Sequence, residues 1–140
     1  MSDQEMAEAK SEIVRQWLTR AERDLGSAER LAAGSAPYLD TAVYHCQQAG
    51  EKAVKGFLAF AEHELEKTHD VERLVKLAEA YEPAFQHHRS AARLLTPYAT
   101  RFRYISEALE PSRDEFNEAF KAAEGLYHFT LSLLPEEVHP

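Results

Sequence analysis

The chain has 140 residues and a mass of 15.9 kDa, with 44% hydrophobic and 29% charged residues, which excludes a disordered or collagen-like chain and fits one globular domain. Its 16 Lys and Arg against 24 Asp and Glu give a net charge of −8, which argues against binding of nucleic acid by bulk charge alone. The single cysteine cannot form an internal disulfide and no run of 18 apolar residues occurs, so we expect a cytoplasmic protein without a membrane span.

Apolar residues that recur at three- and four-residue steps predict helices along the whole chain. The first helix is expected from about Ser11 to Ala33, with Gly34 in a left-handed conformation after its end. The second is expected from about Tyr38 to His63, with Ser35 as its cap and Pro37 in its first turn.

The apolar face of the second helix consists mainly of small residues, which allow a neighbouring helix to approach closely. Cys46 belongs to this face and is predicted to be a buried thiol. Gly50 lies in the middle of the helix, where glycine costs about 1 kcal/mol relative to alanine, so we expect a packing reason for it.

Three further helices are expected after a polar loop over residues 64–69. The third is short, from about Asp70 to Tyr81, and is capped by Thr68 or Asp70. The fourth begins at Pro83 and bends or restarts at Pro97, which removes a helical hydrogen bond.

Ser112 and Glu115 form a capping-box sequence that starts the fifth helix, which is expected to end near Leu134. No segment shows period-two alternation, so we assign no strands. The sequence therefore predicts an all-α fold, an up-and-down bundle of four long helices plus one short helix. Residues 1–140 form one domain, with an ordered core over about 11–134 and mobile tails on either side.

Spacing alone points to no catalytic residue, metal site or cofactor site. Glu66-x-x-His69 has the spacing of a metal-binding pair but lies in the predicted loop. No glycine-rich phosphate loop is present in the sequence. The stretch from Gln86 to Ser106 has four arginines and no Asp or Glu, and such a basic island is either a solvated face or an anion site.

Four segments of the sequence carry recognisable motifs. In chain order they are the segment from Trp17 to Leu31, residues 42–58 (AVYHCQQAGEKAVKGFL), Thr68-His-Asp-Val71, and Arg103-Tyr104. Together they resemble the HEPN family, whose name stands for higher eukaryotes and prokaryotes nucleotide-binding. The first two resemble the first helix and the second-helix signature of that family, and the last two resemble its Thr-His-Asp-Leu turn and its Arg-Tyr pair. The resemblance therefore spans nearly the whole chain.

The resemblance implies a bundle of four or five helices that frequently dimerises and is often encoded beside, or fused to, a minimal nucleotidyltransferase. Some members are metal-independent ribonucleases that use Arg, four to six residues, then His. No arginine of this sequence has a histidine five to seven positions later, so the ribonuclease motif is missing. Ile105 also stands where the family usually has a proline after the Arg-Tyr pair.

The resemblance and the residue chemistry together give a predicted ligand site. Lysine ammonium groups suit phosphate, the first amides of the third helix favour an anion, and an arginine can fork onto phosphate. The alternative left open is that Glu51, Lys52, Asp70 and Arg103 pair with one another and fix the helices. The predicted ligand-binding residues are Gln48, Lys52, Lys55, Thr68, His69, Asp70, Arg101, Arg103 and Tyr104.

The sequence therefore predicts a HEPN-like binding module that binds a nucleotide, a partner nucleotidyltransferase, or both. We expect a homodimer, with nucleotide or RNA as the ligand and no membrane partner. Two other classes stay open: a toxin-type, metal-independent ribonuclease with an atypical site, and a purely structural partner subunit.

Overall fold

The computed structural model describes residues 1–102 and 110–140, which form five α-helices with short 3-10 segments between and after them. The described residues include no strand, so the predicted all-α class is confirmed. Three of the helices are long, and the region predicted as a fourth long helix is divided into shorter pieces. The helices are α1 (Asp3–Ala32), α2 (Leu39–Phe60), α3 (Val71–Glu79), α4 (Arg89–Leu95) and α5 (Arg113–Leu133).

Helix α1 begins at Asp3, well before the predicted start near Ser11. Ser2 and Glu5 form a capping box, in which the Ser2 hydroxyl accepts from the Glu5 amide at 3.1 Å. The first buried residue of α1 is Val14, so its opening turns are held by capping rather than by burial. Periodicity of apolar residues could not reveal this exposed segment.

The connection from α1 to α2 is short and depends on a left-handed glycine. Gly34 has a φ of 86°, as its position after the helix end predicts. The predicted cap of α2 was wrong, because Tyr38 occupies the cap position and no side chain makes a capping hydrogen bond. The Tyr38 amide instead donates to the Leu31 carbonyl at 2.8 Å, which ties the start of α2 back to α1.

Helix α2 is the central helix, and it packs antiparallel to α1 and also against α5. Lys10 of α1 pairs with Glu62 beyond the end of α2, whereas Asp24, later on α1, pairs with Lys52, earlier in the chain than Glu62. Gly56 allows the α1 backbone to come close, because a Cβ there would lie 3.2 Å from the Cβ of Trp17.

The predicted packing reason for Gly50 is confirmed. A Cβ at Gly50 would lie 2.8 Å from Leu95 Cδ1 and 3.5 Å from Leu126 Cδ2, so α4 and α5 both contact α2 at this position. Cys46 is fully buried, and burial, with the charge of Asp24, raises the pKa of its thiol to about 12. The thiol is therefore a packing group that stays protonated.

The segment after α3 contains a 3-10 turn over Pro83–His88, then α4, then a second 3-10 turn over Thr96–Ala99. The helix changes type at Pro97, as expected. Thr96, the residue before the proline, keeps right-handed helical angles, with φ −50° and ψ −45°. The chain passes here from α-helical to tighter 3-10 winding, and α4 ends at Leu95.

Helix α5 starts with the predicted capping box, in which the Ser112 hydroxyl accepts from the Glu115 amide at 3.1 Å. The residues after α5 fold back onto the bundle. Val138 is buried, and Arg15 Nε donates to the Glu137 carbonyl at 3.1 Å. The mobility expected for the two tails stays a prediction, but the second tail has a packed side chain and a specific contact to α1.

Candidate functional site: two carboxylate clusters and an arginine groove

The structure describes seven of the nine predicted ligand-binding residues, and Arg103 and Tyr104 lie outside the described residues. The seven do not form one site. They occupy four places: Gln48, Lys55 and His69 around Glu51; Lys52 beside Asp24; Thr68 and Asp70 at the start of α3; and Arg101 near α5.

Side chains spaced along one face of α2 converge on the carboxylate of Glu51 and, with a loop histidine, form the Glu51 cluster (Gln47, Gln48, Glu51, Lys55 and His69). Lys55 Nζ donates to Glu51 Oε2 at 3.0 Å, and His69 Nδ1 lies 2.9 Å from Oε1. Gln47 Nε2 donates to Glu51 Oε1 at 3.1 Å and to the His69 carbonyl at 2.8 Å. Gln48 Nε2 donates to Gln47 Oε1 at 2.7 Å. Both oxygens of Glu51 therefore have donors within the chain.

The Glu51 cluster is buried at its centre. Glu51 is 3% exposed and Lys55 is 7% exposed, and Lys55 Nζ also lies 5.6 Å from the ring centroid of Trp17. Burial removes the hydration of both charged groups, and their mutual attraction compensates for this loss. Separating the two groups would therefore cost free energy. The pair of Lys55 and Glu51 joins two turns of α2, and the contacts of Glu51 to His69 and of Gln47 to the His69 carbonyl connect it to the loop before α3.

A second carboxylate lies between α1 and α2 and forms the Asp24 cluster (Asp24, His45 and Lys52). Lys52 Nζ donates to Asp24 Oδ2 at 2.7 Å, and His45 Nδ1 lies 2.7 Å from Oδ1. Asp24 is buried, whereas His45 and Lys52 keep about a quarter and a fifth of their side chains exposed. Lys52 is thus paired on one side and open to solvent on the other.

The amides that open α3 already have partners inside the chain. Asp70 is the cap, and its carboxylate accepts from the Arg73 amide at 3.1 Å. The Thr68 hydroxyl accepts from the Asp70 amide, and the Thr96 hydroxyl accepts from the Glu72 amide, each at 3.1 Å. The carboxylate of Asp70 therefore takes the place that an external anion would occupy.

Arg101 lies apart from both clusters. Its guanidinium is 3.6 Å from Glu115 Oε2, and it stacks over the ring of Phe102 at 4.7 Å from the centroid. Arg101 therefore lies at the start of α5, and its predicted role in ligand binding stays a prediction.

A groove along α1 is lined by arginines that are not among the predicted ligand-binding residues. It encloses about 630 Å³ and we call it the arginine groove. Its charged lining has four cations and two carboxylates, although the chain as a whole has a charge of −8. The lining residues are Glu12, Arg15, Gln16, Thr19, Arg20, Arg23, Asp24, Ser27 and Lys52.

Two cations of the arginine groove are available to a ligand. Arg15 pairs with Glu12, and Lys52 pairs with Asp24. Arg20 and Arg23 are exposed, and within residues 1–102 and 110–140 neither has a carboxylate at ion-pair distance. The sequence offered one signal for these two residues, because two arginines three positions apart lie close together on a helix. Helical periodicity by itself, however, indicated only a solvated face.

Neither a metal centre nor a membrane segment emerges from the described residues. No group of three His, Cys, Asp or Glu side chains in that part of the chain could hold a metal ion. No described helix combines the length and the apolar character needed to cross a bilayer.

The fold and the site define a small all-helical domain whose central helix contributes side chains to two carboxylate clusters. Residues 14–134 match the family model described as HEPN domain. The chain therefore belongs to the HEPN domain family, as its four motifs predicted. No curated protein matches the chain.

Two solved structures resemble the chain over most of its length. One is the crystal structure of ST0689, an archaeal HEPN homologue, with a TM-score of 0.70 and 27% identity over 86% of this chain and 96% of that one. The other is the crystal structure of TT1696 from Thermus thermophilus, with a TM-score of 0.70 and 27% identity over 86% of this chain and 98% of that one.

Proposed function

We propose that this HEPN chain is a binding module that takes a phosphate-bearing ligand, a nucleotide, in the arginine groove of α1. The observation that carries the proposal is the pair Arg20 and Arg23, two exposed guanidinium groups without a described carboxylate partner. Guanidinium groups bind phosphate oxygens bidentately, and such charge-assisted bonds are among the strongest polar contacts that proteins make.

The local charge of the groove supports the same ligand class. The rest of the chain is strongly acidic and repels polyanions, so affinity for phosphate must come from a confined basic site. Lys52, a residue of the sequence prediction, lines the groove and adds a third cation whose charge is shared with Asp24. For the other residues of the predicted ligand site, a role in binding stays a prediction.

Binding without catalysis fits the chain better than the ribonuclease alternative. The Arg-to-His spacing of ribonuclease members is missing from the complete sequence. The lining of the arginine groove includes no histidine, so the arginine–histidine pair of the ribonuclease members is not formed there.

The family resemblance supports two further parts of the proposal, a homodimer and a nucleotidyltransferase partner. Light scattering at micromolar concentration should give twice the chain mass of 15.9 kDa. A monomer at every concentration would contradict the dimer and leave the nucleotide proposal standing.

Calorimetric titration with AMP and with a dinucleotide, at low and at high salt, tests the nucleotide proposal. The double variant Arg20→Ala/Arg23→Ala should bind at least about tenfold more weakly, since each charged hydrogen bond contributes about 1.5–3 kcal/mol. Added salt should weaken binding to the natural chain more than to the variant.

The matched control is Arg93→Ala/Lys121→Ala, which removes the same two charges from α4 and α5. Both control side chains are exposed and lie outside the groove. Equal binding by the natural chain and the groove variant would contradict the proposal. Equal weakening by both double variants would mean that net charge, not the groove, governs affinity.

A further inference from the structure

A second, mainly apolar cavity, which we call the apolar cavity, lies beside the arginine groove, between α1, α2, α3 and the loop that joins α2 to α3. It encloses about 260 Å³, and its lining combines large apolar side chains with the polar groups of Lys55, His63, Glu64 and Glu66. A concave, mostly apolar site with a small number of polar groups is the usual form of a small-molecule pocket. The apolar lining residues are Ile13, Trp17, Leu58, Leu65, Leu74 and Leu77.

A shallow depression of about 300 Å³ joins the apolar cavity to the arginine groove. Ile13, Trp17 and Leu65 line both the depression and the cavity. Gln16 and Arg20 line both the depression and the groove. The three hollows therefore form one continuous surface with a cationic end and an apolar end.

Trp17 is the aromatic residue of this surface, and it is held in place by α2. Its Cβ packs close to Gly56, and Lys55 Nζ lies within cation–π distance of its ring. Ile13 and Leu65 flank the same hollow and are 52% and 57% exposed. A fixed aromatic ring between exposed apolar side chains is a surface on which a planar ligand group can stack.

Resting on the function proposed above, we propose that the apolar cavity is the base subsite for the same nucleotide. The phosphate lies against Arg20 and Arg23, and the base stacks on Trp17 between Ile13 and Leu65. Arg20 lies three residues after Trp17 on α1, a rise of about 4.5 Å, so the anionic and planar groups must be joined by a short connection. A nucleoside monophosphate has this chemistry: an anion, a compact polar sugar and a planar base.

Trp17 is the only tryptophan of the chain, so its fluorescence reports on the cavity directly. The probes are AMP and ribose 5-phosphate, which share the phosphate and sugar and differ in the base. AMP should quench Trp17 emission and bind at least fivefold more tightly than ribose 5-phosphate, which should bind in calorimetry without quenching.

The variant Leu65→Ala should weaken AMP at least threefold and leave the affinity for ribose 5-phosphate unchanged. Tyr38→Ala is the control, because Tyr38 is 66% exposed and lies outside the three hollows. Circular dichroism of each variant should match the natural chain, and the two-probe comparison on the natural chain needs no variant.

The outcomes separate this proposal from the function on which it rests. Equal affinities for AMP and ribose 5-phosphate, with Trp17 emission unchanged, would overturn the base subsite and leave the arginine groove as a phosphate site. Absence of binding by both probes would overturn both proposals. Trp17 emission that changes with protein concentration but not with AMP would mean that a second copy of the chain covers the cavity, which also overturns the base subsite.

Discussion

The Glu51 cluster and the arginine groove use charge in opposite ways. Lys55 is buried and pairs with Glu51 one turn earlier on α2, so its charge is neutralised inside the protein. Arg20 and Arg23 are exposed, and no described carboxylate neutralises them. A cation is therefore available to a ligand only where the chain itself leaves it unpaired.

Removal of the Glu51 carboxylate should have the largest effect, because it leaves the buried Lys55 ammonium without a counter-charge. Breaking a buried ion pair in this way costs about 3–5 kcal/mol, so Glu51→Ala should lower the free energy of unfolding by that amount in urea denaturation. The matched control is Glu66→Ala, which breaks an exposed pair with Arg73 and should cost at most about 1 kcal/mol. Equal losses in the two variants would contradict the structural role of the Glu51 cluster.

An uncharged substitution on α2 tests the same packed region. Gly50→Ala would place its Cβ 2.8 Å from Leu95 Cδ1, so the free energy of unfolding should fall by about 1–3 kcal/mol through overpacking. Gly125→Ala is the control, since a Cβ there meets nothing within 4 Å, and it should stabilise α5 by up to about 1 kcal/mol. Stabilisation by both alanines would show that the contact between α2 and α4 is looser than described.

The half-buried side chain of His88 should make the stability of the protein depend on pH. His88 stacks on Phe129 at 4.2 Å, and burial, with the charge of His87, lowers the pKa of His88 below its ordinary 6.5. The unfolded chain therefore binds this proton more readily than the folded chain, so stability falls as the pH drops below about 6.5. His88→Phe keeps the ring and should lose less stability between about pH 7 and about pH 5.5. An identical loss in both chains, measured in urea, would rule out this contribution.

The smallest effect on stability is expected in the arginine groove. Arg20→Ala/Arg23→Ala removes two exposed side chains without described ion pairs, so the free energy of unfolding should change by no more than about 0.5 kcal/mol. Urea denaturation checks this before any binding experiment. A loss of several kcal/mol would mean that the arginines hold the fold, and the groove would no longer be a surface reserved for a ligand.

Most of the fold could be predicted from the sequence, because periodicity and capping residues are local signals. The capping box at Ser112, the left-handed Gly34 and the close packing at Gly50 all follow from residue type and spacing. The early start of α1 could not be predicted from periodicity, because its first turns bury nothing and depend on a cap at Ser2. The change at Pro97 follows from the proline itself, whereas the 3-10 turn over Pro83–His88 stands where the sequence predicted an α-helix.

The candidate site was harder to predict, because pairing is a property of the folded chain. Lys52 and Lys55 are one turn apart in the sequence, yet they face different carboxylates. Asp24, the partner of Lys52, is 28 residues away, and no local pattern connects the two residues. Residue chemistry therefore selected the charged residues of α2 as candidates, but it could not tell which cations the protein neutralises internally.

Chemical-shift mapping with AMP on the ¹⁵N-labelled full chain tests whether a nucleotide binds in the arginine groove, because it locates the ligand without any substitution. We expect the perturbed amides to cluster on α1 around Arg20 and Arg23, and the indole N–H signal of Trp17 to shift with them. Perturbations centred on Thr68 to Asp70, or around Arg101, would contradict this expectation and would favour the ligand site predicted from the sequence.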